Sequence, residues 1–187
     1  AEEVLEETDM AFLFAQKYHS AMKNVGPVRK EMGERTIFNI LGPLTNPANA
    51  SHQLLGVYDK ELVEKLAEVL ANLGVTRGMS VCGSDGLDEI TVTGPTYCCE
   101  IKDGELTSYE IIPEQFGLST YPLAELVGGT PEENAQITKD ILSGTLKGAK
   151  RDVVLMNAGI GIYLGSENLT MEEGIKKAEE LINSGEA

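Results

Sequence analysis

The spacing of apolar and polar positions changes several times after residue 50. Residues 51–59, "SHQLLGVYD", form a short apolar run and read as a strand. In "KELVEKLAEVLANLG", residues 60–74, Leu62, Val63, Leu66, Val69, Leu70 and Leu73 recur at helical spacing, and Gly74 stands where a helix places its left-handed closing residue. "GMSVCG", residues 78–83, reads as a buried strand. "TYCCEI" and "LTSYEII" flank "KDGE", whose Asp103-Gly104 suits a tight turn, so residues 96–112 read as a hairpin. Thr130-Pro131-Glu132-Glu133 and Thr170-Met171-Glu172-Glu173 each place a Thr three residues before a Glu, the pattern of a capping box, and each predicts a helix start. Strand, helix, strand, hairpin and further helices predict an α/β fold with a mixed, mainly parallel sheet flanked by helices. In open sheets of this kind ligands sit off the carboxyl ends of strands, which is where "SDGLDEIT", residues 84–91, follows "GMSVCG".

Composition narrows the picture. With 187 residues and 42% hydrophobic content the chain can bury a real core. A formal net charge of −15 argues against nucleic acid and anionic membrane as partners. No apolar run approaches the roughly 18 residues that suggest a membrane-spanning helix. Cys82, Cys98 and Cys99 match neither a disulfide framework nor a zinc spacing, which points to a reducing, cytoplasmic compartment. The opening "AEEVLEETDM" is acidic, helix-like and without an initiator Met, and it reads as though cut from something longer.

The bases are distributed unevenly. Lys17, Lys23, Arg29, Lys30 and Arg35, with His19 among them, form a cationic island, and residues 36–59 then carry no Lys or Arg. Such an island either binds an anion or merely offsets the acidic first ten residues while facing solvent. "TIFNILGPLTNPA", residues 36–48, is uncharged and contains Gly42-Pro43 and Asn46-Pro47, so it reads as a buried, turn-rich connector, either a pocket wall or an ordinary loop. Asp85, Asp88 and Glu89 lie within five positions of one another in a Gly-rich turn. The turn is either solvated surface or a cation site, since magnesium takes hard oxygen ligands and completes its shell with water and phosphate. "DVVLMNAGIGIYLG", residues 152–165, suggests a dinucleotide fingerprint, but its third Gly comes at 165 where the spacing requires 164. Close packing of a buried helix explains the same glycines.

Taken together, "FLFAQKYHSAMKNVGPVRKEMGERTIFNILGPLTNPA", "GSDGLDEIT", "GGTPEENA" and "DVVLMNAG" strongly resemble the anthranilate phosphoribosyltransferase family, from about residue 10 to the end. The resemblance implies transfer of phosphoribosyl from phosphoribosyl diphosphate to the amine of anthranilate, with release of pyrophosphate, in tryptophan biosynthesis. It implies that His19 lines the anthranilate channel, that Arg29 meets the anthranilate carboxylate, and that Gly42 and Pro43 form the pocket wall. It also implies that Asp88 and Glu89 hold Mg2+ on the diphosphate, that no side chain acts as a nucleophile, and that the full-length protein is a homodimer. The implied layout is a helical segment over 1–38, part of a split helical domain, a hinge over 39–48, and an incomplete α/β catalytic domain over 49–187.

Ser20, Gln16 and Glu34 depart from the family's usual residues without removing a proposed ligand. The family's G-T-G-G-D phosphate loop, N-I-S-T segment and K-H-G-N-R block do not occur in these 187 residues. The chain therefore resembles a C-terminal half, expected to be inactive alone, because backbone amides of a Gly-rich loop are the usual cradle for phosphates. Two alternatives are a related phosphoribosyltransferase or nucleoside phosphorylase, and a non-catalytic binding domain of the same fold.

Overall fold

A computed structural model describes residues 2–13, 15–18, 22–34 and 36–187, leaving aside the side chains of residues 15, 16, 22, 23, 29 and 38. The chain divides into two compact units, Ala1–Ala50 and Ser51–Ala187. The first contains helices α1 (Glu2–Thr8), α2 (Ala15–Tyr18), α3 (Met22–Met32) and α4 (Phe38–Leu44). The stretch expected as a buried, turn-rich connector is instead helical over Phe38–Leu44, and its described side chains are exposed or half-buried. The local reason is visible. The Thr36 N–H donates to Asn39 Oδ1 at 2.9 Å, which serves the helix start, and Pro43 enters only in the last turn, where a missing N–H disturbs little of the helix that follows.

The second unit is built on a sheet of four strands in sequence order: β1 (His52–Gly56), β2 (Arg77–Gly83), β3 (Thr96–Lys102) and β4 (Glu105–Ile111). The expected α/β class, with a mixed sheet and flanking helices, is what forms, but the described strands are mainly antiparallel where a mainly parallel sheet was expected, because the hairpin supplies two of the four strands. Within these strands the parallel pairing is β1 with β2, whereas β2–β3 and β3–β4 are antiparallel. Helix α5 (Val63–Asn72) supplies the crossover that a parallel pair requires. The two-residue turn at Asp103 (φ 53°) and Gly104 (φ 80°) forces the hairpin to be antiparallel.

The sheet is covered on both faces. Val63, Leu66, Ala67 and Leu70 of α5 are buried against β2 and β3. On the other face Met79, Val81 and Cys98 pack with Met156, Ile160 and Tyr163 of α7 (Ala149–Leu164). Strand β2, central and covered twice, is buried at every residue. Behind α7, Leu155 packs with Ile141 of α6 (Pro131–Leu142) and with Ile175, Ala178 and Ile182 of α8 (Met171–Ser184). Both capping boxes form as read: Thr130 and Thr170 accept from the N–H of Glu133 and Glu173, whose carboxylates accept from the N–H of Thr130 and Thr170.

The "MNAGIG" run is helical, and its glycines do not line a phosphate turn. A Cβ on Gly159 would stand 2.4 Å from Ile175 Cα, and one on Gly174 would stand 2.3 Å from the Gly159 carbonyl oxygen. The two glycines let α7 and α8 cross backbone to backbone.

Candidate active site

Because β1 and β2 are parallel, their carboxyl ends emerge side by side at Gly56 and Gly83. The chain leaves β2 into a tight turn. Gly86 donates its N–H to the Gly83 carbonyl at 2.9 Å, Gly83 donates to the Leu87 carbonyl at 2.9 Å, and Gly86 sits at φ 85°. Asp85 organises this turn from inside. Its Oδ1 accepts from the Leu87 N–H at 3.1 Å, and its Oδ2 accepts from the hydroxyls of Thr91 at 2.6 Å and Thr93 at 2.5 Å. Burial pushes the Asp85 carboxyl up, but these hydrogen bonds outweigh it and hold the group below the ordinary carboxylate value.

The loop then lies across the end of β1. A Cβ on Gly56 would stand 1.6 Å from the Asp88 carbonyl oxygen, so only glycine leaves room for the loop backbone at that point. Past Glu89 the chain enters the core, where Ile90, Thr91 and Val92 are fully buried. The carboxamide of Asn157, on α7, closes on this entry point. Its Oδ1 accepts from the Ile90 N–H at 3.0 Å and its Nδ2 donates to the Ile90 carbonyl at 2.8 Å.

Asp88 and Glu89, on either side of the first fixed point, are exposed, and among the described residues neither side chain makes a hydrogen bond or ion pair. Withheld hydration raises the Glu89 carboxyl above its ordinary value, and the charges of Asp88 and Asp85 raise it further. Cys82, at the end of β2, is also raised, by burial first and then by Asp59, Asp85 and Asp88. Negative charge therefore gathers at the carboxyl ends of the parallel strands. Glu89 shares a cleft of about 220 Å³ with Asn134, Thr138 and Lys150, but the Lys150 ammonium is engaged by the Glu125 carbonyl at 2.5 Å. Two larger clefts, of about 490 and 710 Å³, lie along β4 and contain none of the predicted site residues.

Asp88 and Glu89 fit magnesium as a donor set: two adjacent, exposed carboxylates without partners among the described residues, on a backbone held at the Asp88 carbonyl and at Ile90. No group of three His, Cys, Asp or Glu among the described residues could hold a metal by itself. Magnesium commonly takes only one or two carboxylates, retaining water and borrowing phosphate oxygens from a ligand.

The other predicted residues belong to the first unit. His19 lies outside the described residues. Arg29 is on α3 and its side chain is among those left aside; Gly42 and Pro43 close α4. Nothing stands within 4 Å of where a Cβ on Gly42 would be, so local packing does not require glycine there. The three thiols are free and all are raised by burial, Cys98 to about 12, so none is a ready nucleophile.

A profile of the glycosyl transferase family, a/b domain, matches residues 1–187. The chain belongs to this family. Among curated relatives, the anthranilate phosphoribosyltransferase of Endomicrobium trichonymphae is 53% identical over 186 residues, a match covering 100% of this chain and 55% of the relative. The anthranilate phosphoribosyltransferase structure from Thermus thermophilus superposes with a TM-score of 0.90 at 43% identity, covering 98% of this chain and 54% of that one. The Saccharomyces cerevisiae enzyme in complex with 4-fluoroanthranilate gives 0.86 at 35% identity, covering 94% and 51%. The same yeast enzyme in complex with PRPP and Mg gives 0.80 at 35% identity, covering 89% and 48%. The chain spans about half the length of the curated relatives it matches.

Three features of this glycosyl transferase family member were not singled out in the sequence. Asp59 closely follows β1, and an acid just past a strand's carboxyl end was the signal available for it. Gly56 interrupts an apolar strand, which marks close backbone approach. Asn157 stands inside an apolar run, where its one local partner is the Val153 carbonyl a helical turn back, and the fold brings Ile90, 67 residues away, against it.

Proposed function

We propose that the chain is the magnesium-contributing half of an anthranilate phosphoribosyltransferase, a pentosyltransferase of tryptophan biosynthesis acting on anthranilate and phosphoribosyl diphosphate. The observation that carries the reading is the pair Asp88 and Glu89, exposed and without partners among the described residues, at the carboxyl ends of two parallel strands. In this reading Asp88 and Glu89 would hold Mg2+, which would supply charge neutralisation for the diphosphate leaving group. Arg29 offers a planar fork to the anthranilate carboxylate, His19 lines the anthranilate channel, and Gly42 with Pro43 presents an apolar wall. The ribose C1 becomes oxocarbenium-like as the amine attacks, so catalysis consists of positioning and of electrostatics at the leaving group. Weakly acidic buried thiols and the lack of any needed nucleophile agree with that. The free cysteines suit a cytoplasmic setting, no described helix is long and apolar enough to cross a membrane, and the whole protein is read as a homodimer.

The test is the pair Asp88→Asn and Glu89→Gln in the whole protein. Turnover should fall about 10²-fold or more, in line with losing electrostatic stabilisation of a leaving group, and calorimetric binding of phosphoribosyl diphosphate should lose its dependence on Mg2+. Unchanged turnover and an unchanged Mg2+ titration would mean that the acidic turn is solvated surface.

A further inference from the structure

We propose that Asn157 is a positioning residue for the acidic pair: by clamping the backbone of Ile90 it sets the direction in which Glu89 and Asp88 are presented to a cation. The inference rests on the magnesium reading above and deepens it. The N–H of Ile90 belongs to the peptide that begins at Glu89, so the 3.0 Å bond to Asn157 Oδ1 fixes the plane immediately after the Glu89 Cα. The 2.8 Å bond from Asn157 Nδ2 to the Ile90 carbonyl fixes the next plane. One side chain thus holds two successive peptide groups, and the loop cannot rotate about Ile90 without losing both bonds.

The clamp is itself well held. Asn157 Nδ2 also donates to the Val153 carbonyl one helical turn back, at 2.9 Å. Two residues on, Gly159 seats α7 against the backbone of α8. Within the pair, the Asp88 carbonyl, part of the peptide that joins Asp88 to Glu89, rests on Gly56 of β1. The loop therefore crosses from the sheet to the helix layer on two fixed supports, with Glu89 between them and Asp88 immediately before the first. Asp85 shapes the span's first turn and uses its own oxygens doing so. A loop held this way keeps two like charges together before any cation arrives. Outer groups that orient metal ligands commonly alter metal affinity by tenfold or more when removed.

The test compares Asn157→Leu with Leu155→Val in the whole protein. Leu155 is fully buried on the same helix but packs toward α6 and α8, so it reports loss of packing alone. Three quantities are read: the Mg2+ midpoint for phosphoribosyl diphosphate binding by calorimetry, the Tm, and amide exchange at Ile90 without metal. Asn157→Leu should raise the Mg2+ midpoint about tenfold and speed Ile90 exchange by a similar factor. Leu155→Val should lower Tm while leaving the midpoint in place. If Asn157→Leu lowers Tm but moves neither the midpoint nor the exchange, Asn157 is only a structural residue and the inference is wrong. Should that variant not fold, Asn157→Ser gives the same readings with smaller amplitude and is judged the same way. Asp88→Asn with Glu89→Gln separates the two levels. If the double variant leaves Mg2+ dependence intact, the magnesium reading has failed; if it removes the dependence while the Asn157 variants do not shift it, only the clamp has failed.

Discussion

Three acids within five positions do not share one environment, and the difference sets what each can do. Asp85 accepts three hydrogen bonds and sits below its ordinary value, whereas Glu89 accepts none among the described residues and sits above its own. A carboxyl that is lowered on folding adds stability above its unfolded value, near 3.8, and that stability disappears as pH falls through the lower folded value. Asp85→Asn should therefore cost about 1–3 kcal/mol at pH 7, because Thr91 and Thr93 lose a charged acceptor. The gap between variant and parent should close as pH is lowered below 3.8. Denaturant melts at pH 7 and pH 3 measure this directly. An equal gap at both values would show that the Asp85 charge contributes nothing to the turn.

At the scale of elements, the parts read most directly from sequence were those whose signals are local. The spacing of Leu62 to Leu73 gave α5, Asp103-Gly104 gave the hairpin, and the two Thr-x-x-Glu boxes gave the starts of α6 and α8. What stayed ambiguous depended on partners far along the chain. Gly159 and Gly161 look equivalent in sequence, yet only Gly159 faces a crossing backbone, that of Ile175. Segment 36–48 lacked charge and carried two prolines, which suggests a turn, but a Pro in the last helical turn is compatible with α4. The acidic pair was legible as a pattern, while its supports at Gly56 and Asn157 were not, because pairing across the sheet and the helix layer leaves no local mark.

The glycine contrast can be measured. Gly159→Ala should lower stability by about 1–3 kcal/mol or more, since backbone rather than a flexible side chain blocks the new methyl. Gly161→Ala, with nothing within 4 Å of its Cβ position and a helical backbone, should raise stability by about 0.5–1 kcal/mol. Thermal unfolding of the two variants should shift Tm in opposite directions. A shift of the same sign in both would contradict the crossing geometry.

At the scale of the whole molecule, electrostatics decides what these 187 residues can do by themselves. The net charge is −15, and Asp59, Asp85, Asp88 and Glu89 concentrate part of it near the ends of the parallel strands. A diphosphate approaching that edge is repelled unless cations and backbone amides receive it. Under the proposed magnesium reading, an ion on the two carboxylates would supply one side of such a cradle, and the glycine-rich phosphate loop that supplies the other in the resembled family does not occur in this sequence. The 187-residue polypeptide alone should therefore bind magnesium weakly. With phosphoribosyl diphosphate present, it should consume anthranilate at least about 10²-fold more slowly than the whole protein, a loss comparable to removing preorganised donors from a charged transition state. The decrease of anthranilate fluorescence measures both rates under one set of conditions. Comparable rates would mean that the 187 residues already contain a complete phosphate site, and that the acidic loop works without a glycine-rich cradle opposite it.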